Sequence, residues 1–194
     1  MTSDHVMFAG VELSSGRKPI TFAGLDEGLN IRMLEKWDGS QVLSCLESYD
    51  ECALAIDMPS TKAARAAYAD LKAQSMRVGF HPFSQKSYPK QWLETNAQDC
   101  YQALSGHKLL PRRALEGRLQ RSAILYEQGL QITDPIDIFE EITRYKLIQG
   151  ILPLDKLPSS RDLDALVAAY LAWMSLNRPG QILPRGEFVL PAGE

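Results

Sequence analysis

Cysteine, histidine and long apolar runs are scarce in this chain, and each shortage removes a class of function. The three cysteines, Cys45, Cys52 and Cys100, are odd in number and lack a CxxC spacing. They therefore indicate neither a disulfide framework, a redox dithiol nor a thiolate zinc site. His81 and His107 have no ligand-like spacing and read as loop residues, His81 in a long loop that can approach a site. No stretch approaches the ~18 continuous apolar residues that a membrane span needs. Asp4 and His5 precede a short apolar run where a signal peptide has a basic start and a small-residue cleavage site. The expectation is a reduced, cytoplasmic protein with no membrane partner. Positive charge is not in surplus either: 21 Lys and Arg face 24 Asp and Glu, a formal net charge of -3. Contact with nucleic acid would have to come from a local basic patch.

What the chain does have is apolar content, 45% of 194 residues. That suits one domain over residues 1–194, long enough to bury roughly 70% of the surface its unfolded form exposes. Within the apolar segments stand four acids. Glu12 ends the run His5-Val6-Met7-Phe8-Ala9-Gly10-Val11, and Asp57 ends Cys52-Ala53-Leu54-Ala55-Ile56. Glu140 follows Ile136-Asp137-Ile138-Phe139, and Asp164 opens the apolar stretch from Leu163 to Leu176. Carboxylates in such places are rarely left uncompensated, and a cluster of them without matching Lys or Arg recruits a hard divalent cation.

Turn signals and apolar patterning predict strands over 6–13, 19–25 and 29–37, with turns at Ser14-Ser15-Gly16 and Asp26-Glu27-Gly28, as an antiparallel meander. Ser40 is placed to cap a helix over 42–48, and the short apolar strand 53–56 then returns parallel to the first. Ser60 or Thr61 caps an alanine-rich helix to about Gln74. A loop over 79–89 leads to helices near 90–105 and 112–128, forming a helical insertion over about 84–134. A last core strand is expected over 136–142, continuing into a short helix toward Gly150. Residues 161–176 make the clearest helix, and 187–190 a terminal strand or packed tail. This is an α/β order with a mixed sheet flanked by helices.

The pieces Gly10-Val11-Glu12-Leu13-Ser14, Ala55-Ile56-Asp57-Met58-Pro59, Ile138-Phe139-Glu140, Gly150-Ile151-Leu152-Pro153, Asp164-Ala165-Leu166-Val167-Ala168-Ala169 and Gly186-Glu187-Phe188-Val189-Leu190-Pro191 together resemble a family of predicted nucleases of the RNase H fold, most without an assigned biological role. The resemblance implies an RNase H-like fold and an acidic site of Glu12, Asp57, Glu140 and Asp164 binding Mg2+ or Mn2+. Two positions depart from the family pattern. Glu12 stands where Asp is usual, and Glu140 continues as Glu141-Ile142-Thr143 where apolar residues and proline are common.

A site of this kind needs acids that meet at the carboxyl ends of central strands, where two cations can activate water and stabilise the leaving oxygen. Each acid also has a plainer role to weigh: Glu12 at a turn, Asp57 as a turn former before a helix, Glu140 as an exposed charge, and Asp164 as a favourable charge in a helix first turn. Small residues such as Ala168 and Ala172 would let that helix lie close to the sheet and bring Asp164 in. Asp162 reads as a cap. Lys108, Arg112, Arg113, Arg118 and Arg121 oppose only Glu116 over 108–121. They are candidates for phosphate contact, with Trp92 or Tyr101 as stacking surfaces, or simply a solvated helix face. The functions in view are a divalent-metal nuclease, a catalytically silent domain that binds a protein or nucleic acid, and a phosphotransferase. The last is disfavoured by the absence of a glycine-rich phosphate loop.

Overall fold

The computed structural model describes residues 6–13, 19–58, 61–84, 88–150, 157–185 and 188–192. The expected turn at Ser14-Ser15-Gly16, Ser60 as a helix cap and the motif residues 151–153 and 186–187 lie outside them.

Apolar, β-branched and aromatic segments bounded by turns form the first three strands: β1 (Val6–Glu12), β2 (Ile20–Leu25) and β3 (Ile31–Trp37). They pair antiparallel in sequence order. Helix α1 (Gly39–Glu47) then crosses over to β4 (Glu51–Asp57), which runs parallel to β1 as the short buried run predicts. The cap of α1 is Asp38 rather than Ser40: its carboxylate accepts from the Ser40 and Gln41 amides in a capping box. Thr61 caps α2 (Lys62–Arg77).

The sheet continues through β5 (His81–Pro82) and β6 (Lys90–Thr95), giving the order β3-β2-β1-β4-β6-β5, with β6 parallel to β4. Here the structure departs from expectation. Lys90–Thr95 is a strand, because Gln91, Trp92 and Leu93 are buried beside β4. The helix begins only where the Asn96 side chain caps α3 (Ala97–Ser105). The strand expected over 136–142 is instead helix α5 (Pro135–Gln149), following α4 (Leu115–Glu127). Asp134 caps α5 and Pro135 supplies its first turn, while Ile138 and Ile142, one turn apart, bury against Leu157 with Leu115 and Leu119 packed beside them. No described residue after 134 joins the six-stranded sheet.

Helix α6 (Ser160–Asn177) is buried on every side from Leu163 to Ser175. Its capping box, Ser159 with Asp162, gives Asp162 the capping role expected of it. The sheet separates two cores. Phe8, Ala53 and Ala55 face α6, α3 and α4, whereas Met7, Val11, Leu54 and Ile56 face α1 and α2. Beyond α6, a 3-10 turn (Pro179–Gln181) leads to a hairpin of β7 (Ile182–Arg185) and β8 (Phe188–Pro191). Among the described residues no helix is long and apolar enough to cross a membrane.

Candidate functional site

Strand register builds most of the site. Glu12 ends β1 and pairs across the parallel ladder with Asp57 at the end of β4, so both carboxylates leave the sheet on the face covered by α6. The same register row runs from Lys36 through Thr21 to Glu12, Asp57 and Thr95. At its outer end the Lys36 ammonium donates to Thr21 Oγ1 at 3.1 Å and pairs with Asp162.

Helix α6 brings in the third acid because Gly10 has no side chain. A Cβ there would collide with the α6 backbone at Ala165 and Ala169, so glycine allows the helix to lie directly on β1. Asp164, one residue before this contact, is thereby lowered onto the strand ends. One oxygen each from Glu12, Asp57 and Asp164 lies within 4.8 Å of the others.

Two arginines far away in sequence reach this cluster. Arg161, one turn before Asp164, donates through Nε to Glu12 Oε2 at 2.8 Å and through Nη2 to the Pro19 carbonyl at 2.8 Å. Arg112 donates through Nη2 to Glu12 Oε1 at 3.4 Å and pairs with Asp164. The expectation of acids without matching arginine is therefore corrected: Glu12 is 1% exposed, yet it has a guanidinium on each oxygen. Asp57 instead accepts from the Ala97 amide at 2.8 Å, the first residue of α3, where backbone N–H groups are free.

Burial raises the Asp57 carboxyl to about 7; the Ala97 amide opposes the rise, and the charges of Asp164 and Glu12 add to it. Burial likewise raises Asp164 to about 7, against the pull of Arg112. Without an ion, Asp57 and Asp164 thus retain protons up to near neutrality.

Glu140 does not join the other three acids. It lies exposed on α5, lining an open cleft of about 860 Å3 with Asp137, Glu141, Arg144 and Tyr145. Glu141, Ile142 and Thr143 belong to this helix as well.

The basic segment also divides. Only Lys108 and Arg113 are exposed. Arg118 donates to the Leu157 and Pro158 carbonyls ahead of α6. Arg121 is fully buried, donating to the carbonyls of Leu110 and Gly117 and to Gln98, with its guanidinium over the Tyr101 ring. Trp92 and Tyr101 are core residues, 6% and 0% exposed, and offer no stacking surface. His81 is exposed on β5, stacked on Tyr88.

No protein-family model matches this chain, and no curated protein does either.

Proposed function

We propose that this chain is a divalent-metal-dependent nuclease hydrolysing phosphodiester bonds of nucleic acid, with Mg2+ or Mn2+ held by Glu12, Asp57 and Asp164. The observation that supports it is the meeting of three carboxylates from β1, β4 and α6 at the ends of two central parallel strands. Their donor set is all oxygen and suits a hard cation better than zinc or copper. The meander of β1 to β3, with β4 parallel to β1 across an α1 crossover, also agrees with the RNase H-like plan.

When bound, such an ion polarises the phosphoryl oxygen and provides a nucleophile at neutral pH from water. The chain's own residues prepare the place for it. Arg161 fixes Glu12 from one side, tying it to the Pro19 carbonyl. The Ala97 amide fixes Asp57. Asp164 is held by a helix whose position on β1 is set backbone to backbone. Lys108 and Arg113 are exposed on the loop that also carries Arg112, and among the described residues they are candidates for phosphate contact.

One observation favours a second reading. Arg112 and Arg161 neutralise much of the cluster without any ion, which suits a catalytically silent RNase H-like domain binding a protein or nucleic acid. Turnover separates the two. Asp57→Asn keeps the shape and removes the charge, so it should abolish Mn2+-dependent cleavage of single-stranded or structured nucleic acid while the fold is retained. Glu140→Gln, on the remote α5, should leave cleavage unchanged. No cleavage by the unmodified chain with Mg2+ or Mn2+ would favour the silent domain.

A further inference from the structure

Arg112 and Arg161 both touch Glu12, but they are held in different ways. Arg161 also donates to the Pro19 carbonyl, so its guanidinium is anchored whether or not Glu12 accepts from it. For Arg112 the partners are Glu12 and Asp164, both reached through Nη2, while its Nε is buried with no hydrogen-bond partner. The Arg112 side chain is 36% exposed and so reaches the acids from the solvent side.

The backbone beneath it is, by contrast, fixed. Arg121 Nη1 donates to the Leu110 carbonyl at 3.1 Å, and the Leu110 amide donates to Gln120 at 2.8 Å. Gly117 lies so close to the Pro111 carbonyl that a Cβ would overlap it. A well-anchored loop thus presents a side chain whose ties, among the described residues, are the carboxylates that a cation would need. An ion taking oxygens from Glu12 and Asp164 at about 2.1 Å meets the guanidinium head-on, positive charge against positive charge.

We propose that Arg112 is a displaceable counter-ion: it closes the ion-free site by bridging Glu12 and Asp164, and a divalent cation must expel it in order to bind. This rests on the reading of the acids as a cation site and adds how that site is regulated. Arg112 sets the ion concentration at which the site opens, whereas Arg161 remains in place as a fixed support for Glu12. The partial exposure of the Arg112 side chain gives it a route of departure toward solvent.

The test is Mn2+ alone, titrated calorimetrically into the full chain and into Arg112→Gln and Arg112→Lys, with thermal unfolding of each in chelator and in Mn2+. Arg112→Gln should bind Mn2+ about tenfold more tightly or better. It should also melt lower than the unmodified chain in chelator and gain more from Mn2+. Arg112→Lys, which keeps the charge, should bind closer to the unmodified chain than to Arg112→Gln. Equal or weaker Mn2+ binding by a folded Arg112→Gln, with the unmodified chain binding normally, overturns the proposal and leaves the cation site standing. Should Arg112→Gln not fold, tight binding by the unmodified chain with unchanged binding by Arg112→Leu would overturn it equally. Absence of Mn2+ binding in every form overturns it together with the reading on which it rests.

Discussion

Gly10 is the position at which fold and site are most closely joined, and Gly10→Ala should damage both in a calculable way. The new Cβ would lie 2.0 Å from the Ala165 carbonyl oxygen and 2.3 Å from the Ala169 amide nitrogen. Both are backbone atoms of a helix buried on every side, so no rotamer change relieves the overlap. Restoring ordinary contact requires α6 to retreat from β1 by about 1.5 Å, and overpacking of this kind costs roughly 1–3 kcal/mol. Asp164 precedes Ala165 and must retreat with it, away from Glu12 and Asp57. Misplacement on that scale can cost on the order of 10²-fold in rate. Denaturant unfolding with chelator and Mn2+ calorimetry on the same sample provide the assay. We expect lower stability and clearly weaker Mn2+ binding. A variant as stable as the unmodified chain, binding Mn2+ as tightly, would refute the claim that this contact places Asp164.

Two further outcomes are expected. Burial raises Asp57 and Asp164 to about 7 in the folded chain, above their unfolded values of about 3.9. The folded state therefore holds protons that the unfolded state has released, and ion-free stability should fall as pH rises from about 4 to about 7. Mn2+ needs the deprotonated acids and should stabilise increasingly over the same interval; ion-free stability that is flat or rising from pH 5 to 8 in urea unfolding contradicts this. Glu12→Asp withdraws the carboxylate by one methylene from Arg161, now at 2.8 Å, and should lower Mn2+-dependent cleavage. Unchanged or increased cleavage would instead indicate that the site is not adapted to the longer Glu12 side chain.

The parts of the site that could be read from the sequence are those encoded by a single segment. Val6–Glu12 and Glu51–Asp57 are apolar runs that end in an acid, and parallel pairing aligns such ends. Ser159 and Asp162 mark the start of α6, and its small residues point to close packing. Glu140 was misplaced because Ile136-Asp137-Ile138 imitates strand alternation for three residues. The deciding signals lay just before it, in the cap Asp134 and the helix-starting Pro135. Strand β6 was hidden because Gln91, Trp92 and Leu93 are buried consecutively, without alternation, next to a true helix. The arginine partners of Glu12 were the least legible, being 100 and 149 residues away. Arg161 did leave a trace: it stands three residues before Asp164, on the same face of the helix turn that faces the acids.

If Glu12, Asp57 and Asp164 act as one cation site, a bound ion must lie among them. The most direct test is the anomalous difference density of crystals soaked in Mn2+, for the unmodified chain and for Asp57→Asn. A manganese peak bounded by these three carboxylates is expected, with Arg112 turned away from it, and with loss or marked weakening of the peak in Asp57→Asn. A peak elsewhere, or none while Arg112 still bridges Glu12 and Asp164 at saturating Mn2+, would contradict a shared cation site.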